Sequence, residues 1–129
     1  MSKTETKFDL EDRTTKFGID AIHFLKDVPR NPITLPIITQ LIRSSTSIGA
    51  NYAETNNAYS RADFKHKISI CRKEARESVY WLKIIKTFDD RNTGKEALLE
   101  KEAHELTLIF NAIVNKVEIN NKLKNLVIT

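Results

Sequence analysis

Cysteine is nearly absent from the 129 residues: Cys71 stands alone. The chain can therefore close no intrachain disulfide, and it suits a reducing compartment such as the cytoplasm. Three glycines and three prolines are too few for a turn-rich β fold and leave room for long uninterrupted helices. The glycines are also far apart, so no phosphate-cradling glycine loop exists. No window approaches the roughly 20 apolar residues of a membrane span, and Met1 to Leu10 has no apolar run that could act as a secretion signal. A cytoplasmic protein without a membrane partner is expected. The spacing Glu-x-x-His, which dimetal helical bundles need in two helices, does not occur. No metal and no cofactor is expected.

What is present describes one ordinary domain. Hydrophobic residues make up 40% and charged residues 29%, a balance that supports a core and argues against disorder. The net charge is +4, unevenly placed. From Arg43 to Lys86 nine Lys/Arg face four Asp/Glu, whereas the rest of the chain has twelve against thirteen. A basic middle fits an anionic partner.

Apolar spacing predicts four helices. The first runs from about Asp9, a capping residue, to Asp27, with Leu10, Phe17, Ala21, Phe24 and Val28 at helical steps. Pro29, Pro32 and Pro36 mark the next connection. A second helix spans about Ile33 to Asn57. Ser60, with Asp63 three residues on, caps a third that reaches about Phe88. Its residues Phe64, Ile68, Cys71, Ala75, Ser78, Leu82 and Ile85 alternate steps of four and three. After the turn Asp89 to Gly94, a fourth helix shows Leu99, Ala103, Leu106, Phe110, Ile113 and Val117, and the pattern is lost from Asn120. The expected fold is all-α, an antiparallel up-down-up-down four-helix bundle over residues 9–124, with flexible tails at 1–8 and 125–129.

The segment Arg43 to Glu54 sets propensity against periodicity. Its serines and Gly49 favour a loop. Yet Ile38, Leu41, Ser45, Ile48 and Tyr52 recur on one helical face. Small side chains in a helix let another backbone come close. A second stripe, Arg43, Ser47, Asn51 and Glu54, suggests a polar network that Glu77 could join.

The same residues carry a family likeness. Arg43, Ser47, Ile48, Asn51, Ala53 and Glu54, then Phe64, Ile70, Arg72, Ala75 and Glu77, resemble the signature of bacterial 23S rRNA intervening-sequence proteins, also called four-helix bundle proteins. The likeness runs from about Leu10 to about Val117. Thr55 departs from it where Gly is usual, as do Cys71, Lys73 and Glu74 where Ala, Gly and Ser are usual. The resemblance implies a four-helix bundle and a ring-like homopentamer. It also implies proximity to RNA or to an RNA-handling protein such as a reverse transcriptase: relatives are encoded within ribosomal RNA intervening sequences, and a related bundle serves the reverse transcriptases of diversity-generating retroelements.

Three sets of residues become candidates. Lys65, Arg72, Arg76 and Lys83, with Lys86 beside them, form a cationic line that could track phosphates; as the plainer reading, they pair with acids of helix four. Tyr52 and Tyr59 could stack on bases, though Tyr52 belongs to the apolar face. Trp81, Ile84 and Phe88, with Ile70, make a second apolar face on helix three, expected to meet another subunit. Arg43, Ser47, Asn51, Glu54 and Glu77 are expected to form the structural polar network. The expected role is a non-enzymatic, homo-oligomeric scaffold or adaptor for RNA or an RNA-handling protein. Its rivals are a purely protein-binding oligomer and a small enzyme built on Arg43, Asn51, Glu54 and Glu77.

Overall fold

In the computed structural model, the described residues are 4–128 for the backbone and 10–126 for the side chains. They form α1 (Thr4–Leu25), α2 (Thr34–Glu54), α3 (Arg61–Lys86) and α4 (Lys95–Ile128), with a single 3-10 turn at Thr55–Asn57. No strand occurs among them. Each helix packs on its neighbours in the order α1, α2, α3, α4 and back to α1, and among the described residues the backbones of diagonal helices stay apart. The closing contact, α1 on α4, is the sparsest.

Named pairings give the directions. Gly18 of α1 lies against Ser45 and Thr46 of α2, and Gly49 of α2 lies against Thr14 of α1, so these helices run antiparallel. Between α2 and α3, Ser44 meets Ser78 and Ile48 meets Cys71. Between α3 and α4, Lys65 meets Glu118 and Arg72 meets Asn111. Every neighbouring pair is therefore antiparallel, as an up-down-up-down bundle requires.

The α3 seam is the core's backbone: Ile68, Cys71, Ala75, Leu82 and Ile85 are buried with Leu41, Ile48, Leu106 and Phe110. Phe64 and Tyr52 pack on this cluster, the Tyr52 ring 6.0 Å from that of Phe110. On α4 the buried residue after Phe110 is Val114, whereas Ile113 is only partly covered. Small residues act as the Arg43–Glu54 segment suggests. A Cβ added to Gly49 would stand 3.3 Å from the Thr14 carbonyl carbon, and one on Gly18 would stand 3.3 Å from the Ser45 carbonyl oxygen.

Helix ends follow side-chain chemistry. The Asp63 N–H donates to Ser60 Oγ at 3.1 Å, and the Tyr59 N–H donates to Asp63 Oδ2 at 3.1 Å, so the start of α3 is pinned from both sides. Asn31 Oδ1 accepts from the N–H groups of Ile33 and Thr34, while Thr34 Oγ1 donates to the Pro29 carbonyl. Asn92 and Gly94 take positive φ in the turn before α4.

Three boundaries differ from the sequence reading. Helix one begins at Thr4 rather than Asp9, inside the expected 1–8 tail, of which Met1–Lys3 lie outside the described residues. The α-helix of α2 stops at Glu54 and tightens into the 3-10 turn instead of running to Asn57. Helix four does not end near Asn120; it continues to Ile128, and only Thr129 of the expected 125–129 tail lies outside the described residues. Loss of an apolar period removes a packing partner without removing helix propensity, and Asn120–Ile128 contains neither Gly nor Pro.

Candidate functional site

The expected polar network forms only in part. Arg43 of α2 reaches α3, donating from Nη1 to Glu74 at 2.7 Å and from Nη2 to Glu77. Its other expected members stay on their own helix. Ser47 Oγ donates to the Arg43 carbonyl at 2.6 Å, and Asn51 Nδ2 donates to the Ser47 carbonyl at 2.8 Å. Glu54, in the last turn of α2, is exposed and forms no ion pair among the described residues. Near Arg43 it is Glu74, not Glu54, that partners Glu77. Glu74 is only 5% exposed, so the centre of the arrangement is a buried carboxylate that the sequence reading missed. The one available signal was its place between Cys71 and Ala75 of the seam, where small residues are usual. Deeper still, Ser44 and Ser78 share a hydrogen bond of 2.9 Å between α2 and α3. This constellation holds helices together. The three acid–base groups it offers are engaged with one another.

Cys71 is fully buried, and its Sγ lies 3.6 Å from the Ile48 carbonyl as a weak donor. Burial pushes its thiol up to about 12, which suppresses the thiolate that nucleophilic chemistry needs. No group of three His, Cys, Asp or Glu among the described residues is placed to hold a metal ion. No helix among them is long and apolar enough to cross a membrane.

The cationic line splits into two parts. Lys65 pairs with Glu118 of α4 at 3.0 Å, and this hydrogen bond holds the Glu118 carboxyl below its ordinary range. Arg72 is half-buried and donates to Asn111 Oδ1 at 3.1 Å. These two follow the plainer reading, in which the flank of α3 pairs with α4. Arg76, Lys83 and Lys86 do not: all three are exposed and make no ion pair with a described residue. After Glu77, α3 carries no further acid. The free part of the line therefore lies in its second half.

The apolar face of α3 is less open than its spacing suggests. Trp81 and Phe88 pack against the core cluster, and Ile84 is half-buried. Tyr80 sets its ring edge on Trp81 with centroids 4.8 Å apart. An uncharged surface lies elsewhere, over the groove between α1 and α2. Ile19 and Ile22 flank it from α1, and Leu35, Thr39, Ile42 and Thr46 follow at steps of four and three along α2, all of them exposed. Between Thr34 and Ala53 the only charge is Arg43, which is turned to α3.

In the turn between α3 and α4 Arg91 lies over the Phe24 ring, 5.1 Å from its centroid, and pairs with Asp89 at 2.8 Å. Beside it Glu96 has one carboxylate oxygen, Oε1, that is buried without a hydrogen-bond partner. Burial, then hydrogen bonding and repulsion from Glu100, raise its carboxyl to about 7 from 4.5. The folded state thus holds this proton more tightly than the unfolded chain, so its stabilising effect is full below pH 4.5 and fades as pH rises through 7. Glu96→Gln should raise the melting temperature at pH 8 by a few degrees and leave it unchanged at pH 4. Equal shifts at both pH values in thermal melts would refute this.

The sequence profile described as 23S rRNA-intervening sequence protein matches residues 7–112. The chain belongs to that family. Among solved structures it is similar to a protein of unknown function of the S23 ribosomal protein family from Bacteroides thetaiotaomicron VPI-5482, with 28% identity and a TM-score of 0.75. That likeness covers 84% of this chain and 97% of the other. No curated protein matches the chain.

Proposed function

We propose that this bundle is a non-enzymatic scaffold that holds RNA by its phosphates along α3. The observation that carries the reading is the set of Arg76, Lys83 and Lys86, exposed on a helix half without acids and in no salt bridge with a described residue, Lys86 alone lying in the field of Glu96. Cations left unpaired on a rigid helix cost little to turn toward an anion, and they release counterions when they do so. The family's description, which names the intervening sequences of 23S rRNA, supports an RNA context. Binding should weaken steeply with salt and vary little with sequence. The double reversal Arg76→Glu/Lys83→Glu should lower RNA affinity at least about tenfold at low salt while circular dichroism stays unchanged. A gel-shift titration decides between outcomes. Full binding by the double variant would move the site elsewhere, and no binding by the wild type would favour a protein-only adaptor.

The scaffold acts as a homo-oligomer in this reading, and the supporting surface is the uncharged α1–α2 groove rather than Trp81, Ile84 and Phe88. Depletion of charge over a half-exposed apolar strip is the composition of an interface centre. Its proposed occupant is a second copy of the chain, as the family likeness suggests. Repeating a short cationic line in each subunit would convert weak contacts into avidity. Ile42→Glu should give smaller particles in light scattering than the wild type, while Trp81→Phe should not. A wild type that is monomeric at micromolar concentration would end the oligomer part of the proposal.

A further inference from the structure

The turn between α2 and α3 holds the most exposed large hydrophobic side chain among the described residues. Tyr59 is 97% exposed, although its backbone N–H is fixed to Asp63. Beside it opens a pocket of about 430 Å³ between the start of α3 and the second half of α4. Phe64 and Val117, both half-buried, line it with apolar surface, while Arg61, Asn120 and Asn121 bring donors and acceptors. Two carboxylates of the elements that line it are already paired, Asp63 with Lys67 at 2.9 Å and Glu118 with Lys65 at 3.0 Å, while Glu54, next to Thr55, is exposed and unpaired among the described residues.

The pocket does not stand apart from the cationic line. Arg61, Lys65, Arg72, Arg76 and Lys83 follow one another at steps of four, seven, four and seven, Arg61, Arg76 and Lys83 exposed and Lys65 and Arg72 engaged with Glu118 and Asn111 of α4. Those steps keep one face of a helix, so the line starts at the mouth of the pocket. It extends about 38 Å to Lys86 at 1.5 Å per residue. An aromatic ring, two side-chain amides and a guanidinium around an apolar floor suit a nucleobase and its phosphate: rings stack on any base, and amides meet base edges.

We infer that single-stranded RNA runs along the α3 cations and ends with one base held in this pocket against Tyr59. The inference rests on the proposed phosphate contact of α3 and adds to it a preference for unpaired strands. A duplex keeps its bases stacked inside and offers Tyr59 nothing to stack on. Arg61 holds the phosphate of the captured nucleotide, and Asn120 and Asn121 meet its base edge.

The test uses the full chain with two fluorescein-labelled probes, a single-stranded oligouridine of about 12 nucleotides and a duplex RNA of the same length. Anisotropy titrations at low salt give both affinities. Tyr59→Ala should weaken the single-stranded complex about tenfold and leave the duplex complex unchanged. Tyr59→Phe should restore the single-strand affinity, because the ring and not the hydroxyl does the stacking. Tyr59 touches no core residue through its exposed ring, so both variants keep the fold, which circular dichroism verifies. Unchanged single-strand binding by Tyr59→Ala, or equal losses on both probes, would overturn the pocket and leave the phosphate contact standing. Failure of the wild type to bind either probe removes both.

Discussion

Arg43→Met should lower the free energy of unfolding by about 3 kcal/mol, measured by urea denaturation. The loss comes less from the ion pair than from what it leaves behind. Arg43 is itself half-exposed, and exposed pairs contribute little. Glu74, however, is 5% exposed, and the 2.7 Å contact with Arg43 is what meets its charge. A buried carboxylate without a cation retains its desolvation cost, which is the expensive case. The double variant Arg43→Met/Glu74→Met should therefore recover most of the loss, since two apolar groups can fill the same space. A double variant as unstable as the single one would refute the unpaired-charge account.

Gly49→Leu should cost about 3 kcal/mol and loosen the contact of α1 with α2. In an exposed helix the same change would stabilise, because Gly is worse than Leu by nearly 1 kcal/mol. Here a Cβ already stands 3.3 Å from the Thr14 carbonyl carbon, and backbone cannot swing aside as a side chain can. The added isobutyl group has to push α1 away along its length. Gly49→Ala separates propensity from crowding, and its loss should be far smaller. A Gly49→Leu protein that melts at or above the wild-type temperature would refute the close approach.

Helical period was the legible part of this chain. The seam Ile68, Cys71, Ala75, Ser78, Leu82 and Ile85 is buried throughout, because a step of three and four residues fixes a face regardless of what covers it. What a period cannot give is which neighbour lies beside that face and how far along. Glu74 sits one position from Ala75 and reads as the flank of the seam, yet α2 runs over that flank and buries it. Trp81 and Phe88 read as bare on the helix wheel and are packed on the core. Glu54 has the correct step to join Arg43, but it lies three turns further along α2, beyond the reach of Glu74 and Glu77. Lys65 and Arg72 were visible as cations. Their partners Glu118 and Asn111, more than 35 positions away, became visible only with the bundle.

The order in which the helices touch also governs how fast the chain can find its shape. Each of α2, α3 and α4 meets the helix made just before it, and among the described residues the sparse α1–α4 seam is the one helix–helix backbone contact between elements that do not follow one another. Little loop entropy has to be lost before native contacts begin to compensate, which is the condition for folding within microseconds to milliseconds. During synthesis, each hairpin can close as soon as its second helix leaves the ribosome, and α1 waits on α2 alone. The last event is a zipping shut of α4 onto α1, late in time and small in surface.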